Sequence, residues 1–143
     1  MGQSCGGWEA TDASSDPRVT STIIWNSGAN PYHPTGLQDL HAPILFAHGG
    51  RYDHVAWDAE LSYRLAEVPA TLISHPDGGH INWWGPPGST EPATDVQRVP
   101  GPIAAAWMAF TLYGSDAGRA FFLGPECGLC RQPGWSVESK NWE

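Results

Sequence analysis

The sequence predicts an α/β fold built on a parallel sheet of three strands with covering helices. Three short segments are apolar, rich in β-branched residues and nearly uncharged, as in strands buried on both faces. A segment with helical spacing separates the second strand from the third, and strand–helix–strand units place their strands side by side and parallel. The 143 residues suffice for one domain with a substantial core.

The first predicted strand covers residues 19–25, from Val19 to Trp25 (VTSTIIW). The second covers residues 44–48 (ILFAH). The third covers residues 70–75 (ATLISH), which follow a proline and end at the turn-forming run PDGG. These three segments supply the predicted sheet.

Two helices are predicted to cover that sheet. Residues 57–67 (WDAELSYRLAE) place Trp57, Leu61 and Leu65 at helical spacing among charged residues. Residues 103–113 contain strong helix formers, and Gly114 follows where a C-terminal cap is expected. The connections 26–43 and 81–101 are long and without periodicity, which is typical of functional or mobile loops.

Composition and charge exclude several classes of function. The net charge is −8, with 15 acidic and 7 basic side chains and no cluster of Lys or Arg, so phosphate backbones and anionic lipids are repelled. No segment approaches the roughly 20 apolar residues that a membrane-spanning helix needs. We therefore expect no nucleic-acid partner and no membrane span.

Residues 2–7 (GQSCGG) fit the pattern G-x-S-x-G with an additional glycine. Small residues at the flanking positions allow a sharp turn from strand to helix that exposes the hydroxyl of Ser4. Such a serine needs a histidine to accept its proton and a carboxylate to orient that histidine. The alternative interpretation is an ordinary serine in a glycine-rich turn.

Asp53 and His80 follow the second and third predicted strands. The carboxyl ends of parallel strands meet at one edge of a sheet, so we expect both side chains to lie near Ser4. The chain order Ser, Asp, His is that of α/β-hydrolases. Asp53 has an alternative role as a helix N-cap, for which Asp58 also competes. Three other histidines compete with His80 as structural or functional residues: His48, His54 and His75.

In these motifs the sequence resembles the α/β-hydrolase superfamily, and within it the branch of dienelactone hydrolases, chlorophyllases and cutinase-like polyesterases. GQSCGG looks like the nucleophile elbow, DPRV like the entry to the next strand, PILF followed by GGRYD like the acid strand, and DGGH like the histidine loop. The tail from residue 127 to residue 140 is similar to the end of an uncharacterised fungal-type group of such hydrolases.

This resemblance implies a serine esterase with Ser4 as nucleophile, His80 as general base and Asp53 as the residue that orients His80. The backbone N–H of Cys5 would donate to the oxyanion. The implied substrate is a small-molecule or polymeric carboxylic ester, and the implied chemistry needs no metal or organic cofactor.

The sequence departs from that superfamily in one respect. Members place about half of the sheet before the nucleophile, whereas three residues precede Ser4 here. We expect the chain to be a single incomplete domain, residues 1–143, that begins at the elbow and lacks the N-terminal half of the sheet. The strand from Val19 to Trp25 would then expose an edge open to self-association or pairing with another chain. Weak or no activity of the isolated chain is expected, and a half-domain that functions only when complemented is an alternative.

The cysteines and histidines raise the question of a metal site. Cys127 and Cys130 form a C-x-x-C, which marks a redox pair, half of a zinc site or a small disulfide loop. We expect a local disulfide if the parent protein is secreted. The alternative is a metal site in which His48, Asp53, His54 and His80 cluster at one edge of the sheet. No HExxH or other ligand spacing supports it, so no metal site is predicted.

Trp83 and Trp84 follow His80 closely and are expected to line an apolar substrate cleft. The alternative is packing within a surface loop. The same pair also supports a second class of function, a non-catalytic module that stacks tryptophan rings on sugars or aromatic ligands.

Overall fold

A five-stranded sheet lies at the centre of the computed structural model, which describes residues 1–33, 36–84 and 92–142. The strands are β1 (Gly2–Gln3), β2 (Thr22–Trp25), β3 (Ile44–His48), β4 (Ala70–Ser74) and β5 (Ser136–Lys140), in that spatial order. The first four are parallel, and β5 runs antiparallel to β4. The predicted α/β class with a parallel sheet is confirmed.

The sheet contains two strands beyond the three that were predicted. β1 has only two residues, too few for a periodic pattern in the sequence. β5 (SVESK) lies at the edge of the sheet and contains only exposed and partly buried residues, so it lacks the apolar run used to find the others. β2 begins at Thr22 rather than Val19, because the Val19 N–H closes a turn onto the carbonyl of Asp16.

The prediction of an exposed edge from Val19 to Trp25 is corrected at its carboxyl end, where β1 pairs with Ile24 and Trp25. All four residues of β2 are buried, and β1 pairs with it in parallel, Gly2 opposite Ile24 and Gln3 opposite Trp25. Within the described residues, the outer edge of the sheet on this side belongs to β1.

The α-helices of the described residues are α1 (Cys5–Ala13), α2 (Ala56–Leu65), α3 (Asp95–Arg98), α4 (Pro100–Tyr113) and α5 (Asp116–Phe122). The two predicted helices correspond to α2 and α4. α4 begins three residues earlier than predicted because proline is tolerated in the first helical turn, where its missing N–H costs no bond. Gly114 ends α4 in the left-handed conformation, as expected. Among the described residues, no helix combines the length and apolar character needed to cross a bilayer.

Alternate residues of the strands build two cores, one on each face of the sheet. On one face α4 and α5 cover the strands, with Trp107 and Phe122 in the same buried cluster as Ile23, Leu45 and Ile73. On the other face α2 contributes to a second cluster, whose buried members include Ile24, Phe46, Ala59, Tyr63 and Leu72. The chain therefore forms three layers, with its parallel strands covered by helices on both faces.

Candidate active site

Ser4 lies between β1 and α1 in a strained turn. Its backbone has φ 55° and ψ −125°, a conformation that non-glycine residues seldom adopt and that persists only when the surroundings enforce it. The Ser4 N–H donates to the carbonyl of Trp25 at 2.9 Å, and the Ser4 carbonyl accepts from the Gly7 N–H at 2.8 Å. These bonds hold the sharp strand-to-helix turn that the sequence predicted.

Two glycines allow α1 to pack this closely behind Ser4. A Cβ at Gly2 would lie 1.9 Å from the carbonyl oxygen of Gly6, and a Cβ at Gly7 would lie 2.5 Å from the Cβ of Ser27. Both distances are far below van der Waals contact, so a side chain at either position would push α1 away from the strands. Gly6, by contrast, has no neighbouring atom within 4 Å of its Cβ position.

The structure joins the three predicted side chains by hydrogen bonds. The Oγ of Ser4 lies 2.9 Å from Nε2 of His80, and Nδ1 of His80 lies 2.8 Å from Oδ1 of Asp53. The three residues follow the carboxyl ends of β1, β3 and β4, which meet at one edge because the strands are parallel. The carboxylate is fully buried while the His80 side chain is 17% exposed, so solvent reaches the histidine but not the acid.

Asp53 is held as a carboxylate by several donors. Its oxygens accept from Nδ2 of Asn26 at 2.6 Å, from the Gly49 N–H at 3.2 Å and from the Val55 N–H at 3.3 Å. Burial alone would raise the pKa of Asp53, but the hydrogen bonds from Asn26, His80 and the two amides outweigh burial and hold that pKa below its ordinary value. An ionised Asp53 can orient the His80 ring through Nδ1 and stabilise its cation.

Two residues that the sequence analysis missed position the site. Asn26 is completely buried, and besides its bond to Asp53 it donates through Nδ2 to the carbonyl of Gly79 at 2.9 Å. Its φ of 51° is left-handed, which asparagine tolerates better than most residues. Gln3 donates through Nε2 to the carbonyl of His80 at 3.0 Å. The position of Asn26 directly after a buried strand could have indicated its role. Nothing in the sequence pattern indicated a role for Gln3.

The loops that carry Asp53 and His80 touch through their glycines. The Gly79 N–H donates to the carbonyl of Gly49 at 2.9 Å, and a Cβ at Gly49 would lie 1.9 Å from the carbonyl oxygen of Gly79. The backbones can approach this closely only because no side chain separates them. This contact fixes the distance between the acid and the histidine.

The competing residues occupy other environments. His48 is buried at the end of β3, where Nδ1 accepts from the Gly50 N–H and burial lowers the pKa of the imidazole. His75 packs against Trp135 at 5.2 Å between ring centroids. Asp58 lies in the first turn of α2, where burial raises its pKa despite hydrogen bonds that favour the charged form. His54 lies against His80, with ring centroids 4.3 Å apart.

Cys5 is the first residue of α1 and follows Ser4 directly. N–H groups in the first turn of a helix have no intrahelical acceptor and lie at the positive end of the helix dipole. The Cys5 N–H is thus of the type that can donate to an anion formed beside Ser4. Its thiol is free and exposed.

The prediction that Trp83 lines a substrate cleft was wrong. Its side chain is 1% exposed and packs between Trp25 and Trp135, with ring centroids 5.6 Å and 5.5 Å away. Gly78 leaves room for this ring, since a Cβ there would lie 2.2 Å from it. Trp84 is half-exposed and meets Trp25 edge to face, so it alone of the pair reaches the surface.

Cys127 and Cys130 are joined by a disulfide in the segment between α5 and β5. Cys127 is buried and belongs to the same core cluster as Phe122 and Leu129. The bond closes a short loop in this segment, which is also hydrogen-bonded to α5 through the N–H groups of Gly128 and Leu129.

Comparison with known proteins identifies no family for this chain. No protein-family model matches the chain, and no curated protein matches it significantly. The arrangement of Ser4, His80 and Asp53 can move a proton from a hydroxyl to an imidazole supported by a carboxylate.

Proposed function

We propose that this chain is a serine hydrolase of the α/β-hydrolase type that cleaves carboxylic esters through an acyl-serine intermediate. The observation that carries the proposal is the hydrogen-bonded chain from Ser4 through His80 to Asp53, with distances of 2.9 Å and 2.8 Å. The strained backbone of Ser4 supports it, since such strain concentrates at functional sites. The buried, ionised state of Asp53 supports it further.

In the first half of the reaction, Oγ of Ser4 attacks the ester carbonyl carbon while its proton passes to Nε2 of His80. Asp53 keeps Nδ1 protonated and stabilises the imidazolium. The carbonyl oxygen becomes an oxyanion, to which the Cys5 N–H donates. When the tetrahedral intermediate collapses, the C–O bond to the alcohol breaks and His80 returns the proton to the leaving oxygen.

In the second half, a water molecule attacks the acyl-serine carbonyl and gives a proton to Nε2 of His80. Collapse of the second tetrahedral intermediate breaks the bond to Oγ of Ser4, which takes that proton back. The products are the carboxylic acid and the alcohol, and the side chains regain their starting protonation states.

The alternative of a binding module based on two tryptophans is less well supported. Such a module presents both rings to its ligand, whereas Trp83 is enclosed by Trp25 and Trp135. It also needs no hydrogen bond between Ser4 and His80.

The test is intact-mass analysis of the purified chain after exposure to a serine-directed fluorophosphonate. We expect addition of one label, lost in Ser4→Ala and in His80→Ala. Ser15→Ala removes an exposed serine hydroxyl at the end of α1 and is the matched control, which should label like the parent.

Absence of label from protein shown to be folded by circular dichroism would overturn the proposal for this chain. Labelling that persists in Ser4→Ala would overturn the assignment of the nucleophile. If the label forms as expected, a series of p-nitrophenyl esters of increasing acyl length identifies the acid that the site prefers.

A further inference from the structure

The side chains of Asp53, His54 and His80 lie close together in the candidate site, with His54 exposed, His80 partly exposed and Asp53 buried. Each offers one ligand atom, an imidazole nitrogen or a carboxylate oxygen, and these three atoms lie within 4.8 Å of one another. We propose that they form a site for a zinc-type divalent ion whose binding blocks the hydrolase. The proposal that the ion binds depends only on this geometry. The proposal that the bound ion inhibits hydrolysis also rests on the proposed function.

The donor set favours zinc over calcium or magnesium. Two imidazole nitrogens with one carboxylate oxygen form a donor set that zinc sites use, whereas Ca²⁺ and Mg²⁺ prefer sites made of oxygen atoms alone. Three protein ligands and one water complete the tetrahedral coordination of an open zinc site. At ligand distances of about 2.0–2.2 Å, donor atoms in this cluster need only small movements to share an ion.

His54 makes the site accessible to an ion from solvent. Its side chain is exposed on the turn that follows Asp53, and its ring already lies 4.3 Å from that of His80, tilted by 42°. The ring of His80 is itself partly exposed. An ion arriving from solvent thus meets two imidazoles first, and the buried carboxylate lies behind them.

Ion binding and hydrolysis exclude each other because both ring nitrogens of His80 are in use. Nε2 faces Ser4, and Nδ1 faces Asp53. An ion on Nε2 removes the base that accepts the serine proton. An ion on Nδ1 displaces the bond that orients the ring. Whichever nitrogen binds the metal, Ser4 loses its activation.

The first arm of the test is isothermal titration calorimetry of the full chain with zinc chloride at neutral pH. We expect one site in the parent protein, and an affinity at least about tenfold weaker in His54→Ala, since loss of groups that merely orient ligands already costs that much. His33→Ala is the matched control. It removes another exposed histidine beside a carboxylate, Asp12, and should keep the parent affinity.

The second arm measures the rate of fluorophosphonate labelling with and without zinc, each variant being compared with its own metal-free rate. Zinc should stop labelling of the parent and of His33→Ala, EDTA should restore it, and the same zinc concentration should leave His54→Ala little affected.

Zinc affinity unchanged in His54→Ala would overturn the site. Affinity lost in His54→Ala together with zinc-insensitive labelling of the parent would overturn the blocking. If no variant labels even without zinc, the proposed hydrolase function has failed, and calorimetry still decides whether the ion binds.

Discussion

Asn26 donates from one side-chain nitrogen both to the carboxylate of Asp53 at 2.6 Å and to the carbonyl of Gly79 at 2.9 Å. One amide at the end of β2 thereby ties the acid after β3 to the loop before His80. The residue is completely buried. The order of the candidate site thus depends on a side chain that never touches Ser4 in the proposed reaction.

Asn26→Ala should weaken both stability and activity. Loss of the amide leaves the buried carboxylate with fewer donors, and an unsatisfied buried polar group costs about 1–3 kcal/mol. Urea denaturation gives the loss of free energy of unfolding, and the rate of fluorophosphonate labelling gives the loss of site order. Asn30→Ala is the control, because Asn30 donates to Asp12 rather than to Asp53. Equal losses in the two variants would contradict a positioning role for Asn26.

The stability of the fold should depend on acid pH through Asp53. The pKa of Asp53 is lower in the folded chain than its ordinary value, so the stabilisation is complete above that ordinary value, near 3.9, and is lost as the pH falls through the folded pKa. Unfolding curves measured below about pH 4 should show this loss in the parent. Asp53→Asn should show a smaller dependence over the same range. An identical dependence in both proteins would assign the effect to other carboxylates.

Asp53→Asn should also impair catalysis more than folding, even though its amide nitrogen would face N–H donors that the carboxylate oxygens accept from. The amide retains the shape of the carboxylate but cannot favour the His80 tautomer that accepts a proton from Ser4, and a change of this kind lowers kcat by about 10⁴-fold in serine hydrolases. Hydrolysis of an activated ester measures it. Asp58→Asn changes the competing acid in α2 and should keep most of the activity. A larger loss in Asp58→Asn would exchange the roles of the two residues.

The sequence sufficed for the central strands and for the three residues of the candidate site. Each of those residues follows a strand end, and parallel strands bring their ends together whatever the intervening loops do. β1 and β5 were not predictable, because two residues carry no period and a polar edge strand carries no apolar run. The burial of Trp83 depends on Trp135, which lies about fifty residues away in the chain. Such contacts between distant residues depend on tertiary packing and cannot be predicted from the local sequence pattern.

Truncation of Trp83 and of Trp84 measures how much the burial of each ring contributes to stability. Trp83→Ala should destabilise the fold by about 3–5 kcal/mol, as expected for truncation of a buried tryptophan. Trp84→Ala should cost less, since half of that side chain is exposed. Thermal unfolding of the two variants compares them. Equal losses would mean that the ring of Trp83 is not enclosed in solution.

The glycines behind Ser4 provide the sharpest structural test of the turn. Gly2→Ala places a Cβ against the backbone oxygen of Gly6, which cannot move without shifting α1, so we expect a loss of about 1–3 kcal/mol and reduced labelling of Ser4. Gly6→Ala is the matched control within the same motif. Its Cβ meets open space in the first helical turn, and alanine is favoured over glycine in a helix by up to about 1 kcal/mol, so stability should be unchanged or slightly higher.

The two substitutions are chemically identical and four residues apart, so any difference between them reports the local geometry rather than the residue type. Urea denaturation gives the free energies, and the fluorophosphonate reports whether Ser4 stays reactive. A stable, reactive Gly2→Ala would contradict the close approach of β1 and α1. Loss of labelling in Gly6→Ala with unchanged stability would have a different meaning, because a methyl group at Gly6 makes no steric clash with the rest of the fold. It would indicate that the face of α1 near Cys5 must stay open for the reagent to reach Ser4.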